Sequence, residues 1–258
     1  MAHLGVFQKV FLFTLGAAFV VADTDYCSSS LCGSSQHIAC ENSGDWSSAC
    51  PTSPAPIAVD ITPQLKNQIF RGHNFRRQRL ASGNLPGFEP AARMASVRWS
   101  EELAQLAALN VKQCEMQHDA CHNTDQFKAS GQNLAMIGYG GDQSSKTDKE
   151  LVTQSLTMWW SEHKDTTMAQ INEYPSNYNG PPIGHFTAMA QEKNTHVGCA
   201  AARYIQNNMN YWLFACNYAT TNFIGQPVYT AGPSASECTK GTHKNFDALC
   251  KVSEVYDR

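Results

Sequence analysis

Asp148-Lys149-Glu150-Leu151-Val152-Thr153-Gln154-Ser155-Leu156-Thr157-Met158-Trp159-Trp160-Ser161-Glu162-His163 is the stretch from which the rest of the chain can be read. Val152, Leu156 and Trp159 recur at spacings of four and three, the period of one helix face. The spacing predicts a helix from about Asp148 to His163. Glu162 follows Trp159 by three residues and so continues the inward face. A carboxylate aimed there needs a partner or a cleft, because burying it alone is expensive. At a frayed helix end the same side chain would simply stand in water.

Two more helices precede this one. Thr62 is an N-cap with Pro63 at the first helical position, and Leu65, Ile69, His73, Arg76 and Leu80 follow one face as far as Gly83. The Arg76-Arg77-Gln78-Arg79 run reads as the solvated side of that helix. After a loop containing Gly83, Pro86, Gly87 and Pro90, Ser100 caps a helix with Leu103, Leu106, Ala107 and Cys114 on one side. Strands are expected later, at Asn133–Ile137, Phe186–Ala190, His196–Ile205 and Tyr211–Tyr218, with Gly and Asn between them. Helices first and strands later predict an α+β or layered αβα domain. Periodicity fades from about Gly225, where Cys238 and Cys250 mark a small C-terminal module, and no internal repeat is visible.

The beginning of the chain sets the compartment. Val10–Val21 is an apolar run after Lys9, and Val20-Val21-Ala22 offers small residues for cleavage, so residues 1–22 read as a signal peptide and the mature chain as starting near Asp23. The run is too short to span a bilayer comfortably, and no later segment is long and apolar enough. Removing Lys9, with no acid alongside it, moves the formal charge from −3 to −4. A mildly acidic chain without a basic run is a poor nucleic-acid binder. All 10 cysteines follow the leader, and an even number in an oxidising compartment reads as disulfides. Residues 23–61, rich in Ser, Gly, Pro and Cys, form an arm that cannot bury a core and must be tied down covalently. The chain contains no Asn-x-Ser/Thr sequon for N-glycosylation.

Several histidines could partner Glu162. His118 and His122 lie around Cys121, and His185 sits in Gly-His-Phe-Thr. Two His and one Glu suit a zinc first shell with water in the fourth place, and they equally suit ordinary hydrogen-bonded polar positions. Cys114, His118, Cys121 and His122 imitate a zinc knuckle, although thiols of a secreted chain are expected to be oxidised. There is no Gly-x-Ser-x-Gly elbow, His-Glu-x-x-His helix, Walker loop or dinucleotide fingerprint.

Taken together, six stretches resemble the CAP superfamily, which includes venom antigen 5, cysteine-rich secretory proteins and plant pathogenesis-related proteins of class 1. They are Gly72–Arg76, Val97–Ser100 with Glu102-Leu103-Ala104, Gly131–Ala135, Trp159–Glu162, Gly184–Met189 and Phe214–Tyr218, in the family's order. Tyr26-Cys27, Cys32, His37–Cys40, Cys50-Pro51 and Cys114–Cys121 resemble, more narrowly, insect antigen 5 proteins. The resemblance implies a three-layer αβα sandwich at 62–225, with the arm before it and a short extension, 226–258, behind it. It also implies the pairings Cys27–Cys40, Cys32–Cys121, Cys50–Cys114 and Cys199–Cys216, leaving Cys238 and Cys250 to each other. The family's cleft of two histidines and two acids falls on His118, His185, Glu162 and Gln132. Gln132 stands where the first acid is expected; it is nearly isosteric with Glu but carries no charge and cannot act as a base. The chain also departs from the family at Ala190-Gln191-Glu192, where a Trp is common, and at Ala219–Asn222, which lacks the usual Pro and Gly.

The function expected from this resemblance is a secreted, monomeric, non-enzymatic protein that binds a small amphiphile, a lipid or an extracellular protein, and that is potentially allergenic. No cofactor is required by this reading. The alternative is a zinc-dependent hydrolase or protease with metal between His118 and His185 and Glu162 as base.

Overall fold

The computed structural model describes residues 24–256; the expected signal peptide and the cleavage point before Asp23 lie outside the described residues. The chain runs through α1 (Ser29–Cys32), β1 (Ile57–Ala58), α2 (Pro63–Ala81), β2 (Arg98–Trp99), α3 (Glu101–Val111) and β3 (Gly131–Tyr139). It continues through α4 (Asp148–Ser161), α5 (Met168–Asn172), α6 (Gly184–Ala190), β4 (His196–Gln206), β5 (Met209–Tyr218), β6 (Thr242–His243) and β7 (Phe246–Cys250).

β4 and β5 form an antiparallel hairpin, β3 pairs antiparallel with β5 as the edge strand, and β1 and β2 both pair with β4. Asn207 and Asn208, both at positive φ, turn β4 into β5, the conformation a tight hairpin demands. Alternation along the strands splits the core in two. Leu134, Ala200, Ala202, Leu213 and Ala215 pack on α3 through Ala107 and Val111. Ala135, Ala201, Trp212 and Phe214 pack on the opposite side with Ile69, Leu156, Trp159 and Phe186. The result is a three-layer αβα sandwich. Gly198 explains how closely α3 lies on the sheet: a Cβ there would come within 2.2 Å of the Ala104 amide nitrogen.

The caps form as their chemistry predicts. Thr62 accepts from the Leu65 amide, Ser100 from the Leu103 amide, and Thr147 and Glu150 cap α4 reciprocally. Two expectations are corrected. Phe186–Ala190 is not a strand but the body of helix α6. Residues 186–190 are all buried, so along them no polar face exposes the helical period. Arg77 does not stand in solvent either. It is 0% exposed, and its guanidinium donates to the carbonyls of Ala95, Met189, Gln191 and Glu192, joining α2 to both segments that flank it.

All ten cysteines are paired: Cys27–Cys40, Cys32–Cys121, Cys50–Cys114, Cys199–Cys216 and Cys238–Cys250. Two of these bonds tie the arm to the segment following α3. The C-terminal part is integral to the domain rather than separate from it, since Val228, Tyr229, Phe246, Ala248 and Leu249 join the α2 side of the core.

Arg93 clamps the tail. It bonds the Glu254 carboxylate and the Val255 carbonyl, and its guanidinium lies over the Tyr256 ring. Burial pushes the Glu254 carboxyl up, but hydrogen bonds from the Thr239 amide, Arg93, the Lys240 amide and the Thr239 hydroxyl outweigh it and bring the pKa down to about 2. A depressed carboxyl stabilises the fold above its ordinary range, and that contribution disappears as pH falls through the folded value. The tail is therefore expected to stay docked at pH 4 and to loosen toward pH 2. Limited proteolysis near the C-terminus measures this, with Arg93→Gln releasing the tail already at pH 7. A wild-type tail cut equally fast at pH 4 and pH 2 would contradict it.

Candidate functional site

Gln132 and Asn133 are consecutive on edge strand β3 and therefore point to opposite faces of the sheet. On the α3 side, Gln132 Oε1 accepts from His118 Nδ1 at 2.8 Å and from the Asp119 amide at 3.3 Å. Its Nε2 donates to Asp119 Oδ2 at 2.7 Å and to Asn217 Oδ1 at 3.0 Å. Every bond uses the amide's own polarity, with its oxygen facing donors and its nitrogen facing acceptors. Gln is thus matched to this position, where a Glu would set a second carboxylate against Asp119. The Asp119 side chain is 0% exposed, and its other oxygen takes Asn110 Nδ2 and Gln113 Nε2.

On the other side, Asn133 donates to the His185 carbonyl and to the Tyr218 hydroxyl. Tyr218 in turn meets His73 Nε2 at 2.9 Å, while His73 Nδ1 bonds the Ile69 carbonyl. Nδ1 must donate to the carbonyl, so in the neutral ring Nε2 accepts from the Tyr218 hydroxyl. Burial enforces this state, pushing the His73 pKa down to about 3.

Glu162 ends α4 at its C-cap. One oxygen accepts from the His185 and Phe186 amides at 2.8 and 3.0 Å, and the other meets His185 Nδ1 at 2.5 Å. The carboxylate therefore caps the positive end of α6, whose own N-cap, Ile183, supplies no side-chain bond. The His185 ring lies nearly parallel to Trp159, with centroids 6.1 Å apart. Replacing Glu162 with Ala removes the cap and frees His185. A loss of about 2–3 kcal/mol is expected, read from urea denaturation with the disulfides intact; an unchanged midpoint would show the cap to be idle.

The four expected cleft residues thus arrive as two bonded pairs, His118–Gln132 and Glu162–His185, joined through the adjacent residues 132 and 133. His118 and His185 each spend Nδ1 inside the protein and keep Nε2 for other partners. His122 joins neither pair; it is buried with Nδ1 3.7 Å from Asp119 Oδ2, and burial pushes its pKa down. The zinc-knuckle pattern dissolves because Cys114 and Cys121 are both in disulfides. No sequence pattern marks Asp119, Asn217 or His73 as part of the site. The adjacency of His118 and Asp119 is visible in the chain, but the partners that make Asp119 structural come from α3 and β3. Gln191 and Glu192, where a Trp is common in the family, build no aromatic wall. Their carbonyls serve Arg77, and the Glu192 carboxylate takes the Thr230 amide.

An αβα sandwich, with a histidine on each side of its edge strand and an amide and a carboxylate orienting them, is the frame of the CAP proteins. The chain belongs to that family: the family model described as "CAP: Cysteine-rich secretory protein family" matches residues 70–218. Within it, the chain is similar to venom allergen and antigen 5 proteins of insects. It is 40% identical to Venom allergen-1 of Aedes albopictus over 233 residues, 89% of this chain and 88% of that protein. It is 40% identical over 201 residues to the Antigen 5 like allergen Cul n 1 of Culicoides nubeculosus, 74% of this chain and 89% of that one. Among solved structures, NaASP2 with Zn2+ aligns with a TM-score of 0.60 at 22% identity, over 74% of this chain and 96% of that chain; the likeness is one of fold.

Proposed function

We propose that this protein is secreted and works by binding a small amphiphile or an extracellular protein, and that its cleft performs no catalysis. The observation that carries this reading is the state of Glu162, whose two oxygens are already engaged by three donors of α6. A general base must reach the proton it removes, and this one would first have to surrender a helix end. The other acid position holds Gln132, which has no charge to offer. Secretion is supported by the apolar leader, by five disulfides and by the family; among the described residues no helix is long and apolar enough to cross a membrane. A frame stapled in this way loses little entropy on association. Allergenicity, suggested by the names of the relatives, describes a host's response and adds no mechanism.

The test pairs two measurements. Purified from its native fluid, the protein is expected to show a mass excess under native mass spectrometry and to turn over neither peptides nor esters, with or without added zinc. Turnover that Glu162→Gln abolishes would overturn the reading.

One observation favours a second reading, a zinc-dependent hydrolase. A carboxylate behind His185 Nδ1 is the arrangement that orients a metal-bound imidazole, and His118 and His185 would hold the ion through Nε2. Zinc would supply a bound water of lowered pKa. Two imidazoles fall short of the three protein ligands of a catalytic zinc site. Among the described residues, the one group of three His, Cys, Asp or Glu donors within 4.8 Å of one another is Cys32, His37 and Cys121, and its sulfurs form a disulfide. Calorimetric zinc titration, repeated on His118→Ala and His185→Ala, separates the two readings.

A further inference from the structure

Between Ile61 and Phe88 the chain carries Lys66, Arg71, Arg76, Arg77 and Arg79, and no Asp or Glu. All of these cations lie on α2, in a protein whose formal charge is −3. Two are used internally: Arg77 is buried against main-chain carbonyls, and Lys66 pairs with Glu101. Arg71, Arg76 and Arg79 take part in no ion pair among the described residues. What they touch is neutral. Arg76 donates to the Gly72 carbonyl and the Thr157 hydroxyl, Arg79 donates to the Asn84 carbonyl, and the Arg71 guanidinium lies over the Phe75 ring. These contacts hold the guanidiniums in place and leave their charge without a carboxylate.

Gln64, Asn67, Arg71, Phe75 and Arg79 follow one another at spacings of three and four, so they share one side of α2. All five are exposed. Arg71 and Arg79 are separated by about 12 Å along the helix axis. Phe75 stands between them, and its ring meets Phe246 edge-on, so the hairpin of β6 and β7 adjoins this face. Lys244 in the hairpin turn is exposed and adds a cation. The hairpin also brings Asp247, which accepts from Gln78 Nε2 at 2.6 Å. At the start of neighbouring α4, Asp148 pairs with Arg203 and Glu150 accepts from Thr147.

We propose that this face of α2 binds a linear sulfated polysaccharide, with sulfate groups on Arg71 and Arg79 and Arg76 flanking them. An open helix face suits an extended polymer better than a compact ligand. A guanidinium fork meets a tetrahedral oxyanion through two N–H groups, and clustered cations of this kind are a recognised footprint for such chains. The amides of Gln64 and Asn67 lie in line to meet sugar hydroxyls. A lipid surface would need more apolar area than one phenylalanine whose ring already serves Arg71 and Phe246. The proposal draws on the secretion proposed above and is independent of the cleft.

Calorimetric titration of the full chain with a heparin octasaccharide, and with unsulfated hyaluronan of equal length, tests it. Heparin is expected to bind at least about tenfold more tightly than hyaluronan, and its affinity should fall as salt rises. Arg71→Gln combined with Arg79→Gln should weaken heparin by about 30-fold or more while leaving the urea midpoint in place. Lys128→Gln combined with Lys240→Gln removes the same charge elsewhere and should cost less than about threefold. Equal losses from the two pairs would overturn the proposal, because net charge rather than this face would then govern binding. Equal affinity for hyaluronan would overturn the sulfate assignment. Heparin that fails to bind at about 0.15 M salt would overturn the proposal and leave the reading of the cleft untouched. Capture by phosphatidylserine vesicles but not by heparin would overturn it in favour of a membrane surface.

Discussion

Arg77→Ala is expected to lower the free energy of unfolding by about 5 kcal/mol or more, enough to prevent folding in a domain of ordinary stability. The fully buried guanidinium makes five hydrogen bonds to four main-chain carbonyls. Removing it leaves the Ala95 and Met189 carbonyls without their donors and takes one of two donors from Gln191 and Glu192, which keep the Asn194 and Ala95 amides, and each unsatisfied buried group costs about 1–3 kcal/mol. A cavity adds to the loss. Burial lowers the Arg77 pKa to about 10, so the charge survives at every pH at which the protein is handled. Arg77→Lys separates charge from geometry: one ammonium cannot span carbonyls that the planar fork reaches together. It should recover less than half of the lost stability in guanidinium denaturation with disulfides intact. Full recovery would mean that charge alone matters here.

Gln132→Glu, which restores the acid expected of the family, should destabilise this protein by about 3 kcal/mol at pH 7. The new carboxylate would face Asp119 Oδ2 where an amide nitrogen now donates at 2.7 Å, and would turn a second oxygen lone pair toward Asn217. Two carboxylates so close cannot both ionise cheaply, and the pair would titrate with a raised apparent pKa. The sign follows from proton binding. With the folded value raised, the folded state binds more protons than the unfolded state between the two pKa values, so stability falls as pH rises through that window. The variant should recover most of the loss below about pH 4, where the introduced carboxyl is protonated and can donate its one hydrogen to Asp119, and trail wild type at about pH 7.5. Equal denaturation midpoints at both pH values would show that the Gln132–Asp119 contact carries little energy.

These two positions also mark where the chain could and could not be read. Helices α2, α3 and α4 were legible because each has one apolar face, and the three long strands, buried on both faces, were legible as apolar runs with Gly and Asn between them. Helix α6 was not, since five consecutive buried residues, Phe186–Ala190, show no period, and Phe186-Thr187 favours strand locally. Arg77 lies four residues after His73 and three before Leu80, a spacing that places it on the inward face. Its charge argued for water, and only carbonyls distant in sequence could argue otherwise. Gln132 and Glu162 were identifiable as cleft positions through resemblance, but not the partners that define their chemistry. Asp119, His73 and Asn217 act through contacts between elements that no local pattern links. The C-terminal part looked aperiodic because its strands are short, yet it closes the main core.

That closure sets a timetable for how the protein is made. A chain leaves the ribosome from its N-terminus, and α2 is among the first elements to appear. The face of α2 that Phe246 and Leu249 cover has no permanent neighbour until β7 has been made. Until then it is a sticky surface on an unfinished product, and chaperones of the synthesising compartment are its natural guardians. A chain truncated shortly before Phe246 would leave it open for good and is expected to be cleared by quality control rather than released.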